Sequence, residues 1–348
     1  MVTGKKIRLL IVDDSAIVRQ VLTEIFSATD DIEVVGTAID PLIARDKIKV
    51  LRPDVLTLDI EMPRMDGITF LGNLMRLRPM PVVMISTLTE KGAEVTFKAL
   101  ELGAVDFVAK PKVNIKTELA KYSAEVCDKV RTAAKARIRG ADLVTRKAES
   151  QRLAPVVRRN NRQIIAIGSS TGGTEAIKDI LVKLPVDSPP IVITQHIPKS
   201  FSGPFARRLD GICDLTVHEA QTGMLIEPGH VYVAPGDGHL IIMKRGARYT
   251  CVINDGPPVN RHKPSVDVMF RSLLECAAKD VLAVMLTGMG NDGSAGMLEL
   301  LQAGAKTTAQ DEASSVVWGM PGSAVKLSAV QSIISLSNMA EHLVGQYE

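Results

Sequence analysis

The sequence predicts an α/β protein made of two doubly wound parallel-sheet domains, a five-stranded one followed by a larger, mostly parallel one. Three observations predict it. From residue 7 onward, short apolar runs alternate with stretches of helical periodicity, the rhythm of βα units. That rhythm breaks once, in a stretch rich in Ala, Lys and Arg, and resumes at Gln163. The chain is 348 residues long, the size of two ordinary domains.

In the first domain, about 1–125, the strand runs are Ile7–Asp13, Ile32–Ala38, Val55–Asp59, Val82–Ser86 and Val105–Ala109. Each is nearly continuous in apolar residues, as strands covered on both faces are. The stretches between them, such as Ala16–Phe26 and Gly92–Leu102, repeat apolar residues near every 3.6 positions. Residues 126–160 read as a basic linker with some helix at its start. Across 129–162, eleven Lys and Arg face only Asp142 and Glu149, a net +9. The whole chain carries +3, so the remainder is −6 and the basic character belongs to the connector. Aromatic residues for base stacking are nearly absent there, so it reads as a solvated helix end plus linker, and no nucleic-acid partner is expected.

The second domain, 161–348, opens on the strand Ile164–Gly168, a Gly-rich turn and a helix from about Thr174. Ile191–Gln195 is the next strand. Residues 214–254 carry short strand signals broken by Pro-Gly and Gly-Asp turns and read as an antiparallel excursion. Ser265–Lys279 is helical, Val281–Thr287 is a buried strand, and Gly293–Ala303 is helical again.

Composition excludes several classes. With 46% hydrophobic and 23% charged residues, the chain has too much apolar material for disorder. No run of about 18 uncharged apolar residues exists, so no membrane insertion is expected. The apolar stretch Ile7–Val12 is stopped by Asp13-Asp14, too soon for a signal peptide. Cys127, Cys213, Cys251 and Cys276 have neither metal-ligand nor redox spacing. A reducing cytoplasm is the expected compartment.

In an open parallel sheet, function gathers at the carboxyl ends of the strands. Asp13 and Asp14 end the first strand and Asp59 ends the third. If those strands are neighbours, three carboxylates converge, and such a cluster repels itself unless a divalent cation holds it. Ser86 ends the fourth strand, and Lys110-Pro111 ends the fifth and adds a cation. The set suits Mg²⁺ and a phosphoryl group, with Asp59 as the candidate acceptor. The plainer reading, that Asp13 and Asp14 only cap the helix from Ser15, does not explain Asp59 and Lys110.

Asp13-Asp14-Ser15, the run from Asp59 through Met62-Pro63 to Asp66-Gly67, Ser86 and Lys110-Pro111 resemble a response-regulator receiver domain over about 1–125. The resemblance implies an Mg²⁺-dependent phosphorylation at Asp59, metal held by Asp13, Asp14 and Asp59, and a switch through Ser86 and Lys110. Ser86 stands where many receivers have Thr and keeps the hydroxyl. Phe107 stands where many have Tyr and removes one.

In the second domain, Gly168-Ser169-Ser170-Thr171-Gly172 fits G-x-S-x-G between a strand and a helix, a turn that turns Ser outward. A serine hydrolase also needs a base and an orienting acid. Six histidines compete for the base. His196 directly follows the strand Ile191–Gln195, on the same sheet edge as Ser170, and His262 is the runner-up. His218, His230 and His239 lie in the excursion, and His342 lies in the last helix. Asp292, in the loop after Val281–Leu286, supplies the acid. The order Ser, His, Asp differs from the α/β-hydrolase order, so the topology should differ too.

A second motif competes. Gly288-x-Gly290-x-x-Gly293 has dinucleotide-binding spacing, and Asp311 stands near where a ribose-binding acid would fall. Asp292, however, sits inside the loop that would hold a diphosphate and would repel it.

The segments Ala166–Thr174, Ile193–His196, Asp255-Gly256-Pro257-Pro258-Val259-Asn260-Arg261-His262, Leu286–Gly293 and Gly319-Met320-Pro321 resemble the catalytic domain of CheB-type chemotaxis protein-glutamate methylesterases. The family's nucleophile, base and acid map to Ser170, His196 and Asp292. Ser169 stands where the family commonly has Ala. The resemblance implies hydrolysis of glutamate γ-methyl esters on methyl-accepting chemotaxis receptors, releasing methanol, and deamidation of receptor glutamines. It implies a chemotaxis histidine kinase as phosphodonor and no cofactor at the hydrolase site. The backbone N–H of Met289 is the candidate oxyanion donor. The alternative is a receiver whose output domain binds nucleotide or protein and hydrolyses nothing. A DNA-binding regulator is disfavoured, since the output half is large and lacks a basic recognition helix.

Overall fold

The computed structural model describes residues 5–62, 65–87, 89–110, 116–138, 153 and 163–347. The chain divides into two compact units, Met1–Lys147 and Ala148–Glu348.

The first unit is a five-stranded parallel sheet of β1 (Ile7–Val12), β2 (Ile32–Ala38), β3 (Val55–Asp59), β4 (Val82–Ser86) and β5 (Asp106–Ala109), in the order β2-β1-β3-β4-β5. β3 and β4 are buried along their whole length, because helices cover both faces. Four helices start on side chains suited to the task. Ser15, Asp40, Asp66 and Thr89 each accept from a backbone N–H three residues on. β1 lies beside β3, with Val12 level with Leu58. That adjacency brings Asp13 and Asp59 to one edge. Gly67, first residue of the helix Gly67–Leu77, has no room for a side chain: a Cβ would meet Asp59 O at 2.1 Å.

The last helix of this unit, Lys116–Lys135, runs beyond the boundary read at 125. Val126, Val130 and Ala133 are buried. Lys129 pairs with Asp106 at 3.0 Å and Arg131 with Asp31 at 2.7 Å. The helical start assigned to the connector is thus the packed end of this helix, and two of the connector's cations are partnered within the unit. Most of the remaining connector lies outside the described residues.

The second unit holds a seven-stranded sheet of β6 (Ile164–Ser169), β7 (Ile191–Gln195), β8 (Thr216–Glu219), β9 (His230–Val233), β12 (Val281–Met285), β13 (Lys306–Gln310) and β14 (Ser332–Ile334). Its order is β14-β13-β12-β6-β7-β9-β8 and every pairing is parallel. The chain leaves β6 toward β7 on one side and returns at β12 on the other, so a topological switch point lies at β6. The antiparallel excursion is smaller than the sequence suggested. Among the described strands, only β10 (His239–Arg245) and β11 (Arg248–Asn254) pair antiparallel, as a hairpin closed by Gly246-Ala247 with Gly246 at φ 62, and a single antiparallel bridge joins Leu225 to Thr250. β8 and β9 instead extend the parallel sheet, because Val217 and Val231 each find a place in the core. Among the described residues, no helix is long and apolar enough to cross a membrane.

Candidate functional site

In the first unit, Asp13, Asp14 and Asp59 each bring a carboxylate oxygen within 4.8 Å of the others'. Asp13 and Asp59 are fully buried and Asp14 is exposed. Ser15 is the N-cap of the helix Ala16–Ser27, and Asp13 Oδ1 accepts from the Ser15 N–H at 2.8 Å, so Asp13 braces the turn into the helix while its Oδ2 stays turned to the carboxylate cluster. Lys110 Nζ lies 2.7 Å from Asp59 Oδ2 and 4.0 Å from Asp13 Oδ2. Burial pushes the Asp59 carboxyl up to about 6; the Lys110 hydrogen bond opposes that rise and the Asp13 charge adds to it. Burial likewise raises Asp13, against the pull of Lys110. Asp13 Oδ2 and Asp59 Oδ1 are buried with no hydrogen-bond partner. Two orphaned carboxylate oxygens beside an exposed third acid fit a hard divalent cation with oxygen ligands.

Ser86 is buried, and its Oγ accepts from Thr96 Oγ1 at 2.7 Å, a partner no sequence pattern announced. Phe107 is buried too, with Lys129 Nζ 4.9 Å above its ring.

In the second unit, three adjacent strands deliver the predicted residues. Ser169 lies level with Gln195, so Ser170 and His196 follow the ends of neighbouring strands. Asp292 arrives from the loop after β12, the strand on the other side of β6. His196 Nε2 lies 2.9 Å from Asp292 Oδ2. The other nitrogen, Nδ1, is buried and has no hydrogen-bond partner. The serine–imidazole hydrogen bond that a Ser-His-Asp set uses is therefore not made in this structure, and Asp292 engages the ring through Nε2.

Asp292 sits against the start of the helix Val266–Ala277. Its Oδ1 accepts from Ser265 Oγ and from Asn260 Nδ2, both at 2.8 Å, and its Oδ2 accepts from Val266 N–H at 2.7 Å. Ser265 occupies the N-cap but gives its hydroxyl to Asp292, so a carboxylate from another segment satisfies the helix terminus. Burial alone would raise the Asp292 carboxyl. The His196 hydrogen bond and charge, with Asn260 and Val266, outweigh it and hold the group well below the usual carboxylate range.

Ser169 does not compete with Ser170. Its buried Oγ donates to Gln195 Oε1 at 2.6 Å, and Gln195 Nε2 donates to Ser170 O and His196 O at 3.0 and 3.1 Å. One amide thus ties the two strand ends together. The dinucleotide spacing also receives a different explanation. A Cβ on Gly288 would meet Ser170 Cβ at 2.8 Å, Gly290 and Gly293 have φ of 87 and 86, and Asp292 turns inward. Asp311 accepts from Ser314 N–H and Oγ, which closes a turn. Met289, the residue after Gly288, is 41% exposed.

Of the other histidines, His218 and His230 hydrogen-bond each other at 3.0 Å. His239 Nδ1 accepts from Ser265 N–H, and its Nε2 donates to Pro257 O. His342 bonds Thr308. His262, the runner-up base, lies in the site as well: its ring stacks on His196 at 3.7 Å between centroids and 4° between planes.

Residues 165–343 match the family model described as CheB methylesterase, and 9–120 match that of the response regulator receiver domain. A relative from Nitrosomonas europaea, named protein-glutamate methylesterase/protein-glutamine glutaminase, is 54% identical over 98% of this chain and 97% of its own. A Salmonella typhi relative of the same name is 53% identical over 98% and 97%. The crystal structure of the Thermotoga maritima CheB methylesterase catalytic domain superposes with a TM-score of 0.52 at 35% identity, covering 53% of this chain and 98% of that one. With its sheet order, its clustered carboxylates and a match along nearly its whole length, the chain belongs to the CheB methylesterase family, with a response regulator receiver domain in front of the methylesterase domain.

Proposed function

We propose that this chain is a phosphorylation-regulated protein-glutamate methylesterase and protein-glutamine glutaminase. It removes methanol from glutamate γ-methyl esters, and ammonia from selected glutamines, on methyl-accepting chemotaxis receptors. The observation that carries the reading is the His196–Asp292 pair, 2.9 Å apart, beside the strand that Ser170 directly follows. The relatives' names favour it over a non-hydrolytic output module.

In this reading Ser170 Oγ attacks the ester carbonyl and passes its proton to His196 Nδ1, the nitrogen left free when Nε2–H donates to Asp292. Asp292 stays ionised and fixes that tautomer, as its lowered acidity range requires. The imidazolium returns the proton to the departing methoxide oxygen, and methanol leaves an acyl-serine. Water, deprotonated by the same imidazole, then releases glutamate. The amide reaction differs only in that the leaving group is ammonia. The backbone N–H of Met289 is the proposed donor to the oxyanion.

Asp13, Asp14 and Asp59 would hold Mg²⁺ in the receiver, which supplies charge neutralisation for phosphoryl transfer. Asp59 Oδ1, buried and without a partner, is the proposed acceptor atom, and Lys110 would bind the transferred group. Ser86 would leave Thr96 to contact it. A chemotaxis histidine kinase is the proposed phosphodonor. We assign residues through 138 to the receiver and 163 onward to the hydrolase, joined by the basic connector. The proposed compartment is the cytoplasm, where the free thiols of Cys127, Cys213, Cys251 and Cys276 would persist.

The test is release of labelled methanol from methylated receptors by the full chain, compared with Ser170→Ala. Wild-type release with none from the variant supports the reading; equal release refutes it.

A further inference from the structure

The proposed triad leaves one feature of the site unexplained. The turn Val259–His262 is closed by reciprocal backbone hydrogen bonds between its ends, at 3.0 and 2.8 Å. Its two central residues, Asn260 and Arg261, both have positive φ, 52 and 69. A left-handed pair of this kind closes a tight two-residue loop, and Asn tolerates it better than most residues while Arg does not favour it. Strain of this sort persists where the surroundings impose it, and it clusters at functional sites. Both the side chain inside this turn and the one that ends it reach the acid–base pair.

Asn260 Nδ2 donates to Asp292 Oδ1 at 2.8 Å and to Asp267 Oδ2 at 2.7 Å. Both carboxylates are buried, and only the NH₂ end of the amide can face two anions. Asp267 is a second acid behind the first. Its Oδ1 accepts from Gly296 N–H at 2.7 Å, which anchors it to the helix Ser294–Gln302 that follows the Asp292 loop. The Asn260 amide is therefore the link that fixes Asp292 Oδ1 to a rigid second point, while Val266 N–H fixes Oδ2.

His262 acts on the other member of the pair. Its ring lies parallel to His196 at 3.7 Å, a face-to-face contact that prevents the His196 ring from tipping out of the plane in which Nε2 meets Asp292. His196 Nδ1 has no hydrogen bond to hold it. Stacking is thus the restraint on that side of the ring.

We propose that Asn260 and His262 are positioning residues for the hydrolysis: one turn fixes the acid through Asn260 and the plane of the base through His262. The proposal rests on Ser170, His196 and Asp292 forming the reactive set. Neither residue exchanges a proton with the substrate. Both act through the alignment of His196, so their loss slows the chemical steps and leaves receptor binding intact.

The experiment measures kcat and KM for methanol release from methylated receptors by the phosphodonor-treated full chain carrying Asn260→Ala, His262→Ala, His262→Phe or Ser170→Ala. Thermal melts confirm that each variant is folded. The expected result is a loss of about tenfold to a hundredfold in kcat for Asn260→Ala and His262→Ala, with KM within about twofold of wild type. His262→Phe keeps a flat ring over His196 and should recover most of the His262→Ala loss, which a role in proton transfer would not allow. Unchanged kcat in folded Asn260→Ala and His262→Ala, beside an inactive Ser170→Ala, would overturn the proposal and leave the triad standing. His262→Phe as slow as His262→Ala would overturn the stacking role. Activity persisting in Ser170→Ala would overturn the triad, and this proposal with it.

Discussion

Asp292 concentrates the residue-scale physics of the hydrolase unit. A buried carboxylate is costly unless donors surround it, and here two side chains, a backbone N–H and the His196 ring supply them. Its folded acidity lies below the unfolded value of 3.8, so these contacts stabilise the fold above about pH 4 and lose their effect as pH falls. Asp292→Asn should therefore cost about 1–3 kcal/mol near pH 6 and progressively less toward pH 3. Trp318, the only tryptophan, lies in this unit, so its fluorescence during urea unfolding of the full chain reads the difference. A penalty that stays constant or grows toward pH 3 would contradict the assignment. At the reacting atom, Ser170→Ala should lower methanol release by at least about 10³-fold without shifting the urea midpoint measurably. The positions of Ser170, His196 and Asp292 could be anticipated because strand ends in a parallel sheet are legible from apolar runs. The partners of Asp292 other than His196 were not. Asn260 and Ser265 stand 32 and 27 residues away in sequence and meet it only through the packing of a helix terminus. Thr96 beside Ser86 was hidden for the same reason, since a helix position facing a strand end carries no local signature.

At the scale of elements, glycine sets how closely helices approach the sites. A Cβ on Gly173 would meet Gln195 Oε1 at 2.2 Å and Ser169 Cβ at 2.7 Å. Gly173→Ala must displace the amide that ties the ends of β6 and β7. The expected cost is about 1–3 kcal/mol in urea unfolding, together with a fall in kcat as His196 loses its backbone anchor. Wild-type stability and kcat in this variant would mean that Gln195 repacks freely and does not hold the strand ends. The two sheets were readable from alternating apolar runs, and the hairpin from its turn residues. β8 and β9 were misread as antiparallel because four-residue strands between Gly and Pro turns look alike in either sheet. Their direction is set by which strands they join, β9 beside β7 and β8 beside β9, and the pairing of β9 with β7 spans about 40 residues of sequence. Lys129 and Arg131 read as solvated charge in the sequence, whereas the helix Lys116–Lys135 carries them past residue 125 and Asp106 and Asp31 partner them inside the unit.

The whole molecule combines a proposed acceptor carboxylate in one unit with a proposed serine nucleophile in the other. Asp59→Asn should abolish labelling of the chain by a small-molecule phosphodonor in the presence of Mg²⁺, because the neutral amide is not a nucleophile for phosphoryl transfer. Label that persists in the variant would place the acceptor elsewhere. The decisive experiment is methanol release from methylated receptors by the full chain, with and without that phosphodonor, for wild type, Asp59→Asn and Ser170→Ala. Wild type should accelerate by about tenfold or more, the range of ordinary allosteric coupling. Asp59→Asn should stay at the unstimulated rate, and Ser170→Ala should be inactive in both conditions. Equal acceleration of Asp59→Asn, or methanol release by Ser170→Ala at the wild-type rate, would refute a serine hydrolase regulated by phosphorylation of Asp59.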